Sequence, residues 1–276
     1  MRLLQCGRFR LPLERPLIMG IVNLTPDSLS GDGIGTDAAR AVAHAQAQLE
    51  AGADLLDIGA ESTRPGAAPV AAADELARLL PVLHALRDSP VPVSVDTCKP
   101  EVMRAALAEG AAMINDIAAL REPGALAAVA ASDAAVCLMH MQGEPRTMQT
   151  DPRYGDAVEE VAAFLKARAD ACVAAGIARS RIVLDPGFGF GKTLEHNLAL
   201  LRHLERFGAE GYPVLAGLSR KSMLGAITGR PVDQRVPASV AAAVLAAAHG
   251  AAIVRVHDVA ATRDALAVFN AVEKTP

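Results

Sequence analysis

Arg181-Ile182-Val183-Leu184-Asp185-Pro186-Gly187-Phe188-Gly189-Phe190-Gly191-Lys192-Thr193 decides how this chain is read. Ile182, Val183 and Leu184 are branched and apolar, the composition of a strand buried on both faces. The strand delivers a carboxylate, breaks at Pro-Gly, crosses a glycine-rich loop and enters a helix at about Thr193. An ionised carboxylate beside a core must be paired or functional. The same unit recurs along the chain: apolar strand, polar residue at its C-terminal end, loop, helix.

Working outward, the pattern predicts strands at 17–24, 54–59, 91–96, 113–117, 135–140, 182–185, 214–218 and 253–257. Helical periodicity follows each, over 37–51, 70–87, 99–109, 123–131, 155–175, 194–206, 221–226 with 237–249, and 259–272. Strand-helix alternation at this pace implies parallel strands with right-handed crossovers. Eight units predict an α/β fold, a (β/α)8 barrel forming one domain over 17–276. Residues 1–16, punctuated by Pro12 and Pro16, read as a hairpin capping it. A doubly wound open sheet is the alternative.

Of the 276 residues 51% are hydrophobic, enough for a sizeable core, and the net charge is only −4. No basic run and no tryptophan are present, so a nucleic-acid partner is not expected. Cys6, Cys98, Cys137 and Cys172 are scattered without a CxxC, as expected of free thiols in a reducing, cytoplasmic setting. The N-terminus lacks the apolar run of a signal peptide. The apolar stretch 238–253 is broken by His249 and Gly250, so it reads as a buried helix then a strand, with no membrane partner.

A barrel of this kind carries its active site at the C-terminal strand ends. The polar residues there are Asn23; Glu61, Ser62, Thr63 and Arg64; Asp96; Asn115 and Asp116; His140; Asp185; Ser219, Arg220 and Lys221; and Arg255, His257 and Asp258. Arg255 and His257 stand two apart on an apolar strand and point to one side. With Asn23 and Arg64 they make an anion pocket; the competing readings are a surface ion pair and a satisfied core histidine. Asp96 could instead cap the helix starting near Pro100, and Asn115 could be a buried loop-bonding amide. Together Asp96, Asn115 and Asp185 offer acceptors and donors suited to a flat, amino-substituted heterocycle, though two carboxylates could also bind metal or do acid-base work.

The Gly187–Thr193 loop fails as a phosphate loop, because Pro186 stands where a Walker A motif needs glycine. Its glycines read as backbone permissiveness beneath a ligand. Phe188 and Phe190 are equally walls for a ring or ordinary core. Ser219-Arg220-Lys221-Ser222 turns strand into helix, where free N–H groups favour an anion. Lys221 adds a mobile charge there, and Arg220 reads as a structural ion pair. For Met139-His140-Met141 packing outweighs a ligand role.

Eight motifs follow one another along the chain: Met19-Gly-Ile-Val-Asn-Leu-Thr-Pro-Asp-Ser28, Gly59-Ala-Glu-Ser-Thr-Arg-Pro-Gly66, Ser94-Val-Asp-Thr97, Ile114-Asn-Asp-Ile117, Leu138-Met-His-Met141, Leu184-Asp-Pro-Gly-Phe-Gly-Phe-Gly-Lys192, Ser219-Arg-Lys-Ser222 and Arg255-Val-His-Asp258. Taken together and in this order, they resemble the dihydropteroate synthase family. The likeness covers essentially the whole chain. Methyltetrahydrofolate methyltransferases share the barrel and a related pterin pocket but lack this combination. The resemblance implies a homodimeric transferase of folate synthesis. It would join the dihydropterin-methyl group of a diphosphate ester to 4-aminobenzoate, with Mg2+ on the diphosphate. It further implies that Asp96, Asn115, Asp185 and Lys221 hold the pterin, and that Thr63, Arg64, Arg255 and His257 grip the diphosphate. Asn23 would ligate Mg2+, while Phe190 and Ser222 would receive the aminobenzoate. Asp96, Lys221 and Arg255 are the implied catalytic residues. One departure stands out: Leu29 replaces the family's usual phenylalanine, and Gly31 precedes Asp32 in the first loop.

Overall fold

The computed structural model describes residues 2–25, 37–62 and 67–273. Two short strands, β1 (Leu3–Cys6) and β2 (Phe9–Pro12), pair antiparallel as an N-terminal hairpin. Eight parallel strands follow: β3 (Leu17–Asn23), β4 (Leu55–Gly59), β5 (Val93–Asp96), β6 (Met113–Asp116), β7 (Ala135–Met139), β8 (Ile182–Asp185), β9 (Leu215–Ala216) and β10 (Ile253–Val256). Each of β3 to β7 pairs with the next, and β10 lies between β9 and β3. A parallel bridge between Leu184 and Val214 joins β8 to the start of β9, with the Leu184 N–H donating to the Pro213 carbonyl at 2.9 Å. The sheet therefore closes on itself, as the strand-helix count predicted, and the open-sheet alternative falls.

The crossovers carry helices α1 (Ala38–Glu50), α2 (Ala72–Ala85), α3 (Pro100–Ala108), α4 (Ala125–Ala130), α5 (Ala157–Ala174), α6 (Leu194–Arg202), α7 (Ser222–Thr228), α8 (Val236–Ala248) and α9 (Val259–Glu273). Three of their starts carry side-chain caps. Asp37 accepts from the N–H groups of Ala39 and Arg40, Asp156 from those of Val158 and Glu159, and Thr193 forms a capping box with His196. Two predicted elements differ. The seventh barrel strand shrinks to Leu215–Ala216, because Gly217 has no side chain to pack and the backbone turns at Arg220, φ 57°. The helix expected over 194–206 stops at Arg202 and resumes as a tighter turn over Leu204–Gly208, which turns Leu204 and Phe207 into the core.

Strand register explains where the chemistry sits. Met19, Leu55, Met113, Ala135, Val183, Leu215 and Ile253 fill the lower barrel interior, against Leu4 and Cys6 of the hairpin. Side chains alternate faces, so the residue two further along each strand points inward again. That next layer contains Asp57, Asn115, Asp185 and Arg255, and Asp96 stands level with Asn115 in the ladder. The interior thus changes from hydrocarbon to charge within two residues. The opposite strand faces, with Val22, Ile58, Val95, Ile114 and Leu184, pack against the helices in a separate apolar cluster.

Candidate active site

Arg255 is the centre of the polar layer. Its Nε donates to Asp57 Oδ2 at 2.6 Å and its Nη2 to Asp96 Oδ2 at 3.0 Å. Burial opposes the guanidinium charge, but Asp57 and Asp96 outweigh it and raise the pKa above its ordinary value. Asn115 joins the same cluster by donating from Nδ2 to Asp57 Oδ2 at 3.0 Å. Burial pushes the Asp96 carboxyl up to about 7 while Arg255 pulls it down, and Asp57, Glu75 and Asp116 add to the rise. Asp96 is not a helix cap: Lys99 occupies that position on α3, and its N–H donates to Thr97 Oγ1 at 3.2 Å.

Asp185 closes β8 on the other side of the mouth. Its Oδ1 accepts the Gly187 N–H at 2.7 Å. Burial raises its pKa, against the charge of Lys221 and that hydrogen bond. Lys221, just before α7, donates to the Phe188 carbonyl and lies 4.7 Å over the Phe190 ring. Burial pushes the Lys221 ammonium down to about 8, with Asp185 opposing and Arg255 adding to the fall. Lys221 and Asp185 therefore share one electrostatic field with Arg255 and Asp96, so the two halves are one site.

The glycine-rich loop between them is built to a shape that side chains would spoil. Gly187 has φ 70° and Gly191 has φ 62°. A Cβ on Gly187 would collide with the His140 carbonyl oxygen, and one on Gly191 would come within 2.5 Å of the Gln142 carbonyl oxygen. Tyr154 Oη donates to the Gly191 carbonyl at 2.8 Å, and Asn197 Oδ1 accepts the Gly189 N–H at 2.7 Å. Buried Lys192 reaches the Phe190 carbonyl at 2.9 Å and His140 Nδ1 at 3.0 Å. Burial and Lys192 lower the His140 pKa to about 3, so its ring is neutral and packs edge-on to Phe164. Phe188 is fully buried core; Phe190 is half-buried beside Lys221.

The remaining sequence-predicted residues divide. His257, two residues past Arg255 at the end of β10, pairs through Nδ1 with Ser219 Oγ at 2.9 Å. Asn23 ends β3, level with Gly59 of β4. Ser222 opens α7 and is exposed. Arg220 pairs with both oxygens of Asp258, at 3.0 and 2.5 Å, as a structural ion pair should. Thr63, Arg64 and the first-loop departures Leu29, Gly31 and Asp32 lie outside the described residues. Glu61 belongs to scaffolding: its Oε1 accepts the Val70 N–H at 2.9 Å, and Lys99 ties its Oε2 to buried Glu75.

Asp57, Lys99 and Lys192 escaped the sequence reading. Asp57 lay open to detection, because a carboxylate inside Leu55-Leu56-Asp57-Ile58-Gly59 obeys the argument that singled out Asp185. It stands two residues short of the end of β4, where a strand-end rule does not look. Lys192 and Lys99 carry no such mark; their roles come from long-range packing.

Fold and site define a barrel enzyme whose mouth combines a fixed arginine, a lysine, carboxylates and an oriented amide. The family model for pterin binding enzymes matches residues 19–257. The chain is 55% identical over 272 residues to the dihydropteroate synthase of Neisseria meningitidis serogroup C, covering 97% of this chain and 96% of that one. Its structure is similar to that of Burkholderia cenocepacia dihydropteroate synthase complexed with 7,8-dihydropteroate, with TM-score 0.91, 56% identity and coverage of 98% and 96% of the two chains. It is also similar to Xanthomonas albilineans dihydropteroate synthase with 4-aminobenzoic acid, with TM-score 0.93, 54% identity and coverage of 100% and 99%. The chain belongs to the pterin-binding enzymes and, among them, to the dihydropteroate synthase family.

Proposed function

We propose that this chain condenses (7,8-dihydropterin-6-yl)methyl diphosphate with 4-aminobenzoate to 7,8-dihydropteroate and diphosphate. The observation that carries the reading is Arg255, fixed between Asp57 and Asp96 at the mouth that also holds Asp185 and Lys221. One wall offers hydrogen-bond partners for a pterin; the centre offers a cation for a departing diphosphate. The relatives whose structures contain dihydropteroate and 4-aminobenzoic acid support both substrates.

In this mechanism Asp185, Asn115, Asp96 and Lys221 hold the pterin. The bond between the methylene carbon and the ester oxygen breaks, and its electron pair leaves with the diphosphate. Arg255 and His257, joined by Thr63 and Arg64 from the sequence reading, stabilise that charge. The carbon left behind is a pterin-methyl cation, which the Asp96 carboxylate stabilises across the mouth. The aromatic amine nitrogen attacks it, forms the new C–N bond and releases a proton. Phe190 flanks the incoming ring and Ser222 takes its carboxylate. Positioning supplies much of the rate, since no covalent enzyme intermediate forms.

The donor set also fits Mg2+. Among the described residues no group of three or more His, Cys, Asp or Glu side chains could cage a metal. Mg2+ keeps waters and binds through substrate phosphates with few protein ligands, which suits Asn23 as its single amide ligand. When bound, the ion neutralises charge on the diphosphate.

Purified protein given both substrates and Mg2+ should release diphosphate and form dihydropteroate; no release sinks the reading. The same assay carries a pH signature. Below about 7 Asp96 takes a proton and loses the charge that stabilises the cation. Above about 8 Lys221 loses the proton it donates to the pterin. A plot of kcat/KM against pH should therefore be bell-shaped, with limbs near those values. A flat profile across that range would remove both groups from the reaction.

A homodimer belongs to the same proposal. Leu245 on α8 and Val268 and Val272 on α9 are 51%, 66% and 66% exposed, on helices that pack side by side. Exposed apolar side chains on neighbouring helices suit burial against a second copy. Light scattering should give a dimer mass for the native chain and a monomer mass for Leu245→Glu with Val268→Glu; a monomeric native chain refutes the placement. The same reading puts the enzyme in the cytoplasm, where the free thiols of Cys6, Cys98, Cys137 and Cys172 persist. No helix among the described residues is long and apolar enough to cross a membrane.

A further inference from the structure

We infer that Asp57, which contacts no reacting atom in the mechanism above, is the positioning residue that orients both the diphosphate-binding arginine and the pterin-binding amide. The inference rests on the synthase reading and deepens it. Asp57 lies in the middle of β4 with its side chain fully buried. One oxygen, Oδ2, receives two donors from opposite functional groups: Arg255 Nε at 2.6 Å and Asn115 Nδ2 at 3.0 Å.

Each contact fixes a direction. A carboxylate only accepts, so the Asn115 amide must turn its nitrogen inward to Asp57. Its carbonyl oxygen then faces the mouth, where it selects a ring N–H rather than a ring acceptor. Arg255 is likewise held by Nε, the nitrogen nearest its stem, and by Nη2 on Asp96. That clamp fixes the guanidinium plane and leaves further N–H donors for an anion. A lone contact to Asp96 would leave the arginine free to pivot.

The other Asp57 oxygen, Oδ1, has no such partner: it is buried and finds no hydrogen bond among the described residues. A buried unsatisfied acceptor destabilises a fold. A residue kept for packing would not carry that burden; a residue kept to orient two others would.

The test compares Asp57→Asn and Asp57→Glu with the native chain. The readouts are turnover, pH profile and calorimetric binding of 6-hydroxymethyl-7,8-dihydropterin. Asparagine keeps the shape and loses the charge. We expect kcat/KM for the pterin diphosphate to fall about 10- to 100-fold, by loss of charged hydrogen bonds, with the KM for 4-aminobenzoate within about twofold. The acid limb should also move to lower pH. Asp96 faces Arg255 from β10, Asp57 from β4, Glu75 from α2 and Asp116 from β6, and removing one of those negative charges eases its ionisation. Glutamate keeps the charge but displaces the oxygen, so kcat/KM should fall with the acid limb in place. Native kinetics in Asp57→Asn, an unmoved limb, or equal losses for both substrates would overturn the assignment. So would failure of both variants to give the native circular dichroism spectrum, which would make Asp57 a core residue. If the native chain binds the pterin alcohol without turnover, the synthase reading fails and the binding comparison still judges Asp57. If it binds no pterin, both fall together.

Discussion

Arg255→Ala should lower kcat/KM for the pterin diphosphate by about 10²- to 10³-fold, the usual loss when a donor to a developing oxyanion is removed. The change should fall on kcat as well as KM, because charge on the leaving oxygen grows only as the bond breaks. A second effect must be separated from this one. Asp57 and Asp96 both rely on Arg255 for charge compensation, at 2.6 and 3.0 Å. Removing one partner of a buried pair typically destabilises by about 3–5 kcal/mol, although uptake of a proton by one carboxyl offsets part of it here. Arg255→Lys separates the two. An ammonium keeps the charge, but it is a compact point donor and cannot span both carboxylates as the planar fork does. The lysine variant should therefore melt closer to the native chain in denaturant than the alanine variant. It should still lose about tenfold or more in kcat/KM, because the donor no longer faces the diphosphate. Native kinetics in the alanine variant, with only its melting curve shifted, would reduce Arg255 to a structural role.

Arg255 also shows what could be read from the sequence and what could not. Its spacing from His257 and its place on an apolar strand were enough to put it at the barrel mouth. Strand ends were readable because each apolar run ends in a polar residue, and parallel strands place all such ends on one side. Asp96, Asn115 and Asp185 came through the same logic. Their partners did not, because pairing depends on which strands become neighbours. The closing contact from Leu184 to Val214 spans separate units and leaves no local mark. Asp57 was hidden for a related reason: the strand-end rule weighs the last residue, whereas the polar layer begins two residues earlier on β4. Phe188 and Phe190 read alike in the sequence, yet one is core and the other lies under Lys221. Left-handed Gly189 between them turns the chain there, and a local motif gives that possibility without its direction. Residues 26–36 and 63–66 lie outside the described residues, so the departures at Leu29, Gly31 and Asp32 stand on the sequence alone.

The second large effect belongs to Asp185. One oxygen already accepts the Gly187 N–H at 2.7 Å, which leaves the other for the ligand. A pterin presents adjacent N–H donors along its amino edge, and a carboxylate answers them only with acceptors. Asparagine cannot do both tasks. If its oxygen faces Gly187, its NH2 meets the donors of the ring; if it faces the ring, Gly187 meets the NH2. Either way a buried donor goes unpaired, and the charge that strengthened the hydrogen bonds is gone. Asp185→Asn should weaken binding of 6-hydroxymethyl-7,8-dihydropterin about a hundredfold by calorimetry. A second consequence follows from Lys221, whose protonated form Asp185 favours more than any other group does. Without that negative charge the ammonium is less stable, so its pKa falls and the basic limb of kcat/KM moves below about 8. The two readouts answer different questions. Unchanged affinity with a displaced limb would make Asp185 a field on Lys221 and put the ring elsewhere in the mouth. Weaker binding with the limb in place would keep the ring on Asp185 and assign that limb to another group.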